Sequence, residues 1–210
     1  MKIWPETLEA EPAYKLLTGI VVPRPIAWIT TMSIEGVVNL APFSCFTIVS
    51  SAPPLIGINI GLKAGQAKDT GRNIKASGEF VVHIADETMI EQIHLSAVEY
   101  PPDVSEVELL GLDLLPSETI AVPRLAAPSI AMECRFHQSV QFGDTGSEFT
   151  VGEITLFHIR DGLCTDYKIQ TESLRPVCRL GGPNYGLLGQ VITQKNIAQT
   201  PKRVETKSPA

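Results

Sequence analysis

Ile130-Ala131-Met132-Glu133-Cys134-Arg135-Phe136-His137-Gln138-Ser139-Val140-Gln141 is the stretch that decides the class of fold. Ile130, Met132, Cys134 and Phe136 alternate with Ala131, Glu133, Arg135 and His137. Successive side chains of a strand point to opposite faces, so this spacing predicts a strand over 130–141 with one buried face and one wetter face. Working outward, short apolar segments rich in Val, Ile, Thr and Phe predict further strands over 26–31, 37–43, 47–50, 55–60, 80–84 and 149–159. The first two are joined by a turn at Met32-Ser33-Ile34-Glu35-Gly36. The expected fold is mostly β, with helices at its periphery.

Two helices are expected. One opens at Asp69 or Thr70, either of which can cap it, and stops at Gly78. The other runs over 88–98, where Ile90, Ile93 and Ala97 form one apolar stripe suited to lying on a sheet. Between 99 and 128 five prolines mark an extended excursion that could cover a site. Residues 1–193 read as a single domain, and 194–210, with Lys195, Lys202, Arg203 and Lys207 and few apolar residues, as a solvated polar tail.

Composition narrows the function. The 210 residues carry a formal charge of −6, which argues against the broad basic surface that nucleic acid or anionic lipid requires. No apolar run approaches the roughly 18 residues of a membrane span. Cys45, Cys134, Cys164 and Cys178 form no C-x-x-C, and the start of the chain has no secretory pattern, so reduced thiols in a cytoplasmic protein are expected. Cys45 reads as a small core residue. His83, His94, His137 and His158 have no zinc-ligand spacing and read as structural, so no metal is expected.

Chemistry-bearing residues concentrate between positions 23 and 73. Thr30, Thr31, Ser50, Ser51, Lys68, Thr70 and Asn73 offer hydroxyls, an amide and a cation, the donor set of a phosphate site, if their strands lie side by side. No Walker lysine or G-x-G-x-x-G is present, and Thr30 and Thr31 taken alone read more readily as ordinary strand residues, because threonine favours strands. Asn39-Leu40-Ala41-Pro42-Phe43-Ser44 puts a proline in an apolar strand, either at a simple edge or where freed backbone groups meet a flat heteroaromatic ring.

Those segments, with Ser50-Ser51-Ala52-Pro53-Pro54-Leu55, Gly78-Glu79-Phe80-Val81-Val82, Ala97-Val98-Glu99-Tyr100-Pro101-Pro102 and Arg179-Leu180-Gly181-Gly182-Pro183-Asn184-Tyr185, together resemble the flavin reductase-like family. With Pro23-Arg24-Pro25-Ile26-Ala27-Trp28 the chain resembles the branch that includes flavoredoxin-like carriers and further reductases. The resemblance implies a Greek-key FMN-binding split β-barrel, a homodimer, and FMN at the subunit interface. It implies that Thr30, Thr31, Ser50 and Ser51 lie near the ribityl and phosphate groups, with Lys68, Thr70 and Asn73 completing the phosphate end. Asn39, Ala41, Pro42, Phe43 and Ser44 would line the isoalloxazine. Trp28 packs beside the ring or in the core. Arg179 meets a phosphate or an anionic ring, or satisfies a turn, and Tyr185 forms part of the substrate-side wall.

With the flavin carrying the chemistry, no catalytic side chain is required. The implied activity is an NAD(P)H-dependent flavin reductase: NADH or NADPH gives hydride to flavin N5, and electrons leave to free flavin, oxygen, a monooxygenase or another redox protein. The alternative is an FMN-binding electron carrier that does not oxidise NAD(P)H itself. Gly143-Asp144-Thr145 stands where many nicotinamide-dependent members of the family carry Gly-Asp-His, which weakens the hydride-donor reading.

Overall fold

Seven strands form one antiparallel sheet: β1 (Ala27–Met32), β2 (Val38–Phe43), β3 (Phe46–Ser51), β4 (Pro54–Ile60), β5 (Glu79–Ile84), β6 (Ile130–Phe142) and β7 (Ser147–Ile159). Every expected strand is present, with each end within two residues of its expected position. The structure is a computed structural model describing residues 1–63 and 65–195. The expected tail therefore lies almost wholly outside the described residues.

In space the strands run β2-β1-β5-β6-β7-β4-β3. The two edge strands of that order, β2 and β3, are consecutive in the chain with only Ser44 and Cys45 between them. The sheet must therefore curl until its edges approach, which makes it a barrel left open between β2 and β3. The Asn59 N–H donates to Cys45 O at 2.8 Å beside this corner. Strands β4 to β7 lie in the order β5-β6-β7-β4, a Greek key.

The barrel is filled by the inward residues of these strands, among them Ile29, Phe43, Ile56, Ile58, Phe80, Val82, Met132, Cys134 and Ile154. Burial pushes the Cys134 thiol pKa up. Gly57 and Gly152 leave room for large rings: a Cβ at Gly152 would stand 2.2 Å from Phe80 Cζ, and one at Gly57 would stand 2.1 Å from Phe149 Cζ.

The outward face of β6 is drier than its alternation suggests, because Ala131 and Glu133 are buried. The 99–128 excursion lies over this side of the barrel and is pinned there by side chains of the sheet. Glu79 accepts the Ala121 N–H, Thr30 Oγ1 donates to Pro123 O, and His83 Nε2 accepts the Leu125 N–H. His83 is fully buried with Nδ1 2.9 Å from Trp28 O, and burial holds its pKa down at about 4, so it is a neutral, satisfied core residue.

Helices pack around the barrel: α1 (Ala10–Ile20), α2 (Asp69–Ser77) and α3 (Ile90–Leu95). Helix α2 ends at Gly78 as expected, with φ 73° in the left-handed region. Its N-cap is Lys68 rather than Asp69 or Thr70, and no side chain caps it. Asp69 instead pairs with Arg72, and Thr70 turns inward. Helix α3 is shorter than the pattern over 88–98 predicts, because a 3₁₀ turn, Glu87–Met89, precedes it and residues after Leu95 leave the helix. Helix α1 adds to the two expected helices, and its Tyr14, Leu17 and Ile20 follow a helical period.

Candidate functional site

Alternation along β1 puts Ala27 and Ile29 in the barrel core. Thr31, two residues further, faces the same way beneath α2. There it joins a buried network. Asn73 Nδ2 donates to Thr31 Oγ1 at 3.1 Å, and Asn39 Nδ2 donates to Thr70 Oγ1 at 3.1 Å. Thr70 and Asn73 are three apart on α2 and so share the face turned toward β1 and β2. The network ties α2 to the end of the barrel and fixes where its first turn sits.

Just outside it lies a hollow of about 160 Å³, with Asn39, Ala41, Pro42, Phe43, Lys68 and Thr70 on one side. The turn after α3, from Ser96 to Tyr100, and Glu106 form the other side. Lys68 Nζ lies 5.5 Å from the centroid of the Phe43 ring. Glu106 is buried, and its Oε2 accepts the Leu40 N–H at 2.9 Å. Burial pushes this carboxyl pKa up, against the hydrogen bond from Leu40.

A second hollow, about 540 Å³, opens between α1 and the barrel. Its walls include Tyr14 and Lys15 of α1, Arg24, Ser44, Arg179 and Tyr185. Pro42 and Ala97 border both hollows, so the two adjoin there, and together they are termed the trough.

Arg24 sets the shape of the larger part. Its side chain is buried, and Nη1 donates to Thr18 O and Val21 O of the α1 terminus, at 2.5 and 2.7 Å. Nη2 donates to Leu180 O at 3.0 Å and Nε to Ser44 Oγ at 3.3 Å. One guanidinium thus joins α1, the β2–β3 corner and the late loop. The backbones of that loop and α1 also meet closely, since a Cβ on Gly181 would lie 3.2 Å from Gly19 Cα. Arg179 pairs across a small ribbon with Arg24 on one side and Tyr185 on the other.

The structure gathers most, but not all, of the residues singled out from sequence. Asn39, Ala41, Pro42, Phe43, Lys68 and Thr70 line the small hollow, and Pro42, Ser44, Arg179 and Tyr185 the large one. Thr31 and Asn73 stand behind, their polar groups joined to one another. Thr30 points to the opposite face of β1 from Thr31, has no exposed surface and bonds to the excursion, so the two threonines do not act as a neighbouring pair. Trp28 also faces that side; its indole N–H donates to Ser96 Oγ at 2.9 Å, within a second apolar cluster. Ser50 and Ser51, at the far end of β3, line neither hollow. Cys45 is exposed, because the corner between β2 and β3 turns it out of the barrel.

Sequence reasoning missed the contributions of α1, Arg24 and the turn after α3. A helical period marks α1, but nothing local to Arg24 or to Ser96 and Ala97 says that they line the same hollows as Pro42. The excursion reaches the trough only through Glu99, Tyr100 and Glu106.

The Flavin reductase like domain matches residues 19–172. This protein belongs to the flavin reductase-like family. An uncharacterized protein of Halalkalibacterium halodurans is 44% identical over 198 residues, which cover 92% of this chain and 95% of that one. Among solved structures, nitrilotriacetate monooxygenase component B from Bacillus cereus superposes with a TM-score of 0.89 at 39% identity, over 92% of this chain and 98% of the other. The 2-nitrobenzoate 2-nitroreductase of Pseudomonas fluorescens gives 0.86 at 33% identity, over 97% of this chain and 100% of that one. The split barrel is thus the fold of this flavin reductase-like chain, as its sequence resemblance implied.

Proposed function

We propose that this protein is an FMN-binding oxidoreductase, a cytoplasmic homodimer that takes electrons from NADH or NADPH and delivers them to free flavin, a monooxygenase or another redox partner. The observation that carries the reading is the adjacency of the two hollows at Pro42 and Ala97, with Lys68, Thr70 and Asn39 lining the small one and Ser44, Arg179 and Tyr185 the large one. At the narrow end the Lys68 ammonium and the Thr70 hydroxyl proton suit a phosphate, while the Asn39 amide is engaged by Thr70 and Thr31 and orients that hydroxyl; the wide end suits a planar ring. The donor set therefore fits FMN. When bound, FMN supplies the two-electron chemistry. The chain's own task is to hold the phosphate through Lys68 and Thr70, keep the ring against Pro42 and Ser44, and leave the Arg179–Tyr185 side for a second reactant.

The relatives support this assignment. Component B of a monooxygenase fits the supply of reduced flavin to a partner, and the nitroreductase fits direct reduction of a small substrate. A homodimer is supported by α1, which buries no residue and leaves Tyr14, Leu17 and Ile20 65%, 61% and 73% exposed. Four free cysteines are consistent with a reducing compartment.

An absorption spectrum of the purified protein, before and after FMN and then under anaerobic NADH or NADPH, tests the reading. Prompt bleaching supports the reductase, and failure to take up FMN defeats it. Persistence of the oxidised spectrum until dithionite is added assigns the protein as an FMN-binding electron carrier. One observation favours that second reading: Gly143-Asp144-Thr145 forms the β6–β7 turn, lines neither hollow, and carries no histidine.

A further inference from the structure

We propose that the wide end of the trough binds a small aromatic carboxylate through Arg179, a substrate class for the second reactant that rests on the flavin reading above. Arg179 and Arg24 are adjacent across the ribbon and both line the hollow, yet they are used differently. Arg24 gives its donors to three carbonyls and a hydroxyl of the fold. Among the described residues, the Arg179 side chain has no hydrogen bond or ion pair; its guanidinium carbon lies 4.6 Å from the centroid of the Tyr185 ring. That ring is also held by His94, whose Nδ1 is 3.3 Å from the Tyr185 hydroxyl and whose ring meets it at 85°. Arg179 is thus a positioned cation with its hydrogen-bonding edge unused.

The surroundings specify the ligand further. The chain as a whole carries −6, but the hollow is lined by Arg24, Arg179 and Lys15 against one acid, Glu11, which Lys15 engages at 2.6 Å. A basic recess in an acidic protein favours an anion over neutral molecules of the same shape. A planar guanidinium matches a carboxylate through two parallel hydrogen bonds. Ile26, Ile93, Ala97 and the Tyr185 ring supply apolar walls for the ring that bears it. The phosphate of the cofactor is served by Lys68 at the opposite end, which leaves Arg179 for a different anion.

Calorimetric titrations of benzoate, its neutral counterpart benzamide, and inorganic phosphate, run on the full chain with and without FMN, test the proposal. Benzoate should bind at least about tenfold more tightly than benzamide, as expected for one charged hydrogen-bonded pair. Arg179→Gln should erase that ratio, and Arg179→Lys should restore part of it, a charge-selective pattern that a general loss of structure would not produce. Equal binding of benzoate and benzamide, or an unchanged ratio in Arg179→Gln, overturns the proposal. So does phosphate binding more tightly than benzoate, which would make this a phosphate site, or a loss of FMN affinity in Arg179→Gln as large as the loss for benzoate, which would put the guanidinium on the cofactor. Benzoate selectivity without FMN uptake leaves the anion site standing and removes the flavin reading. FMN uptake without benzoate selectivity does the reverse.

Discussion

Glu133→Gln should cost about 3 kcal/mol of stability. The Glu133 side chain is wholly buried beneath the excursion, yet it is ringed by donors. Its Oε1 accepts the Glu118 N–H at 2.8 Å and lies 2.6 Å from His158 Nε2. Its Oε2 accepts the Thr119 N–H at 2.7 Å and the Thr119 hydroxyl at 2.6 Å. Burial works to raise this carboxyl pKa, but the four donors outweigh it and bring it from 4.5 to about 2. At about 1.4 kcal/mol per pH unit, that difference corresponds to about 3 kcal/mol favouring the ionised form in the fold. Glutamine has nearly the same shape but one acceptor. Whichever way its amide is turned, its NH₂ faces a backbone N–H, that of Glu118 or that of Thr119, and neither can reverse its polarity.

For a chain of this size the loss should lower Tm by about 6–12 °C. The folded pKa lies below the unfolded one, so the carboxylate's contribution is full above about pH 4.5 and fades as pH falls toward 2. Urea unfolding of both proteins from pH 7 to pH 3 checks this: the gap in stability should be largest at pH 7 and narrow below pH 4.5. A gap under about 1 kcal/mol at neutral pH, or one that stays constant down to pH 3, would refute the reasoning.

Three further outcomes follow from the geometry. Arg24→Met should raise amide exchange in α1 and in residues 179–186 by about tenfold or more while leaving β5 to β7 protected, because the carbonyls it holds each lose a charged donor. Gly152→Ala should destabilise by about 1–3 kcal/mol, read by thermal unfolding, since its Cβ meets the fully buried Phe80 ring. Lys68→Gln should weaken FMN by about tenfold and flatten the salt dependence of its binding, read by fluorescence titration; unchanged affinity would move the phosphate away from the narrow end.

Much of the barrel was legible one segment at a time. The alternation of Met132 and Cys134 with Ala131 and Glu133, and the breaks at turns, mark strands because side-chain direction is a local property of extended backbone. The clustering of Asn39-Leu40-Ala41-Pro42-Phe43-Ser44 and Lys68-Asp69-Thr70 was likewise visible, and all of these but Leu40 and Ser44 line the small hollow, Ser44 lining the large one. What alternation alone could not supply was which outward face stays wet. Thr30 and Glu133 lie on outward faces, but the excursion that covers them arrives from a distant part of the sequence.

The same division holds at the candidate site. Composition and local pattern determined a β protein with an acidic net charge and a set of hydroxyls, amides and cations at strand ends. Only the tertiary structure decided which of them face the trough: it set Thr31 behind the small hollow, turned Thr30 away, put Ala97 and Pro42 on the walls of the same hollows, and occupied Arg24 while leaving Arg179 without a hydrogen-bond partner among the described residues. The reason is physical. A residue's type and the side of its strand are fixed locally, but what satisfies its donors is fixed by backbone carbonyls such as Thr18 O and Leu180 O, which come together only when the sheet curls and its edges approach.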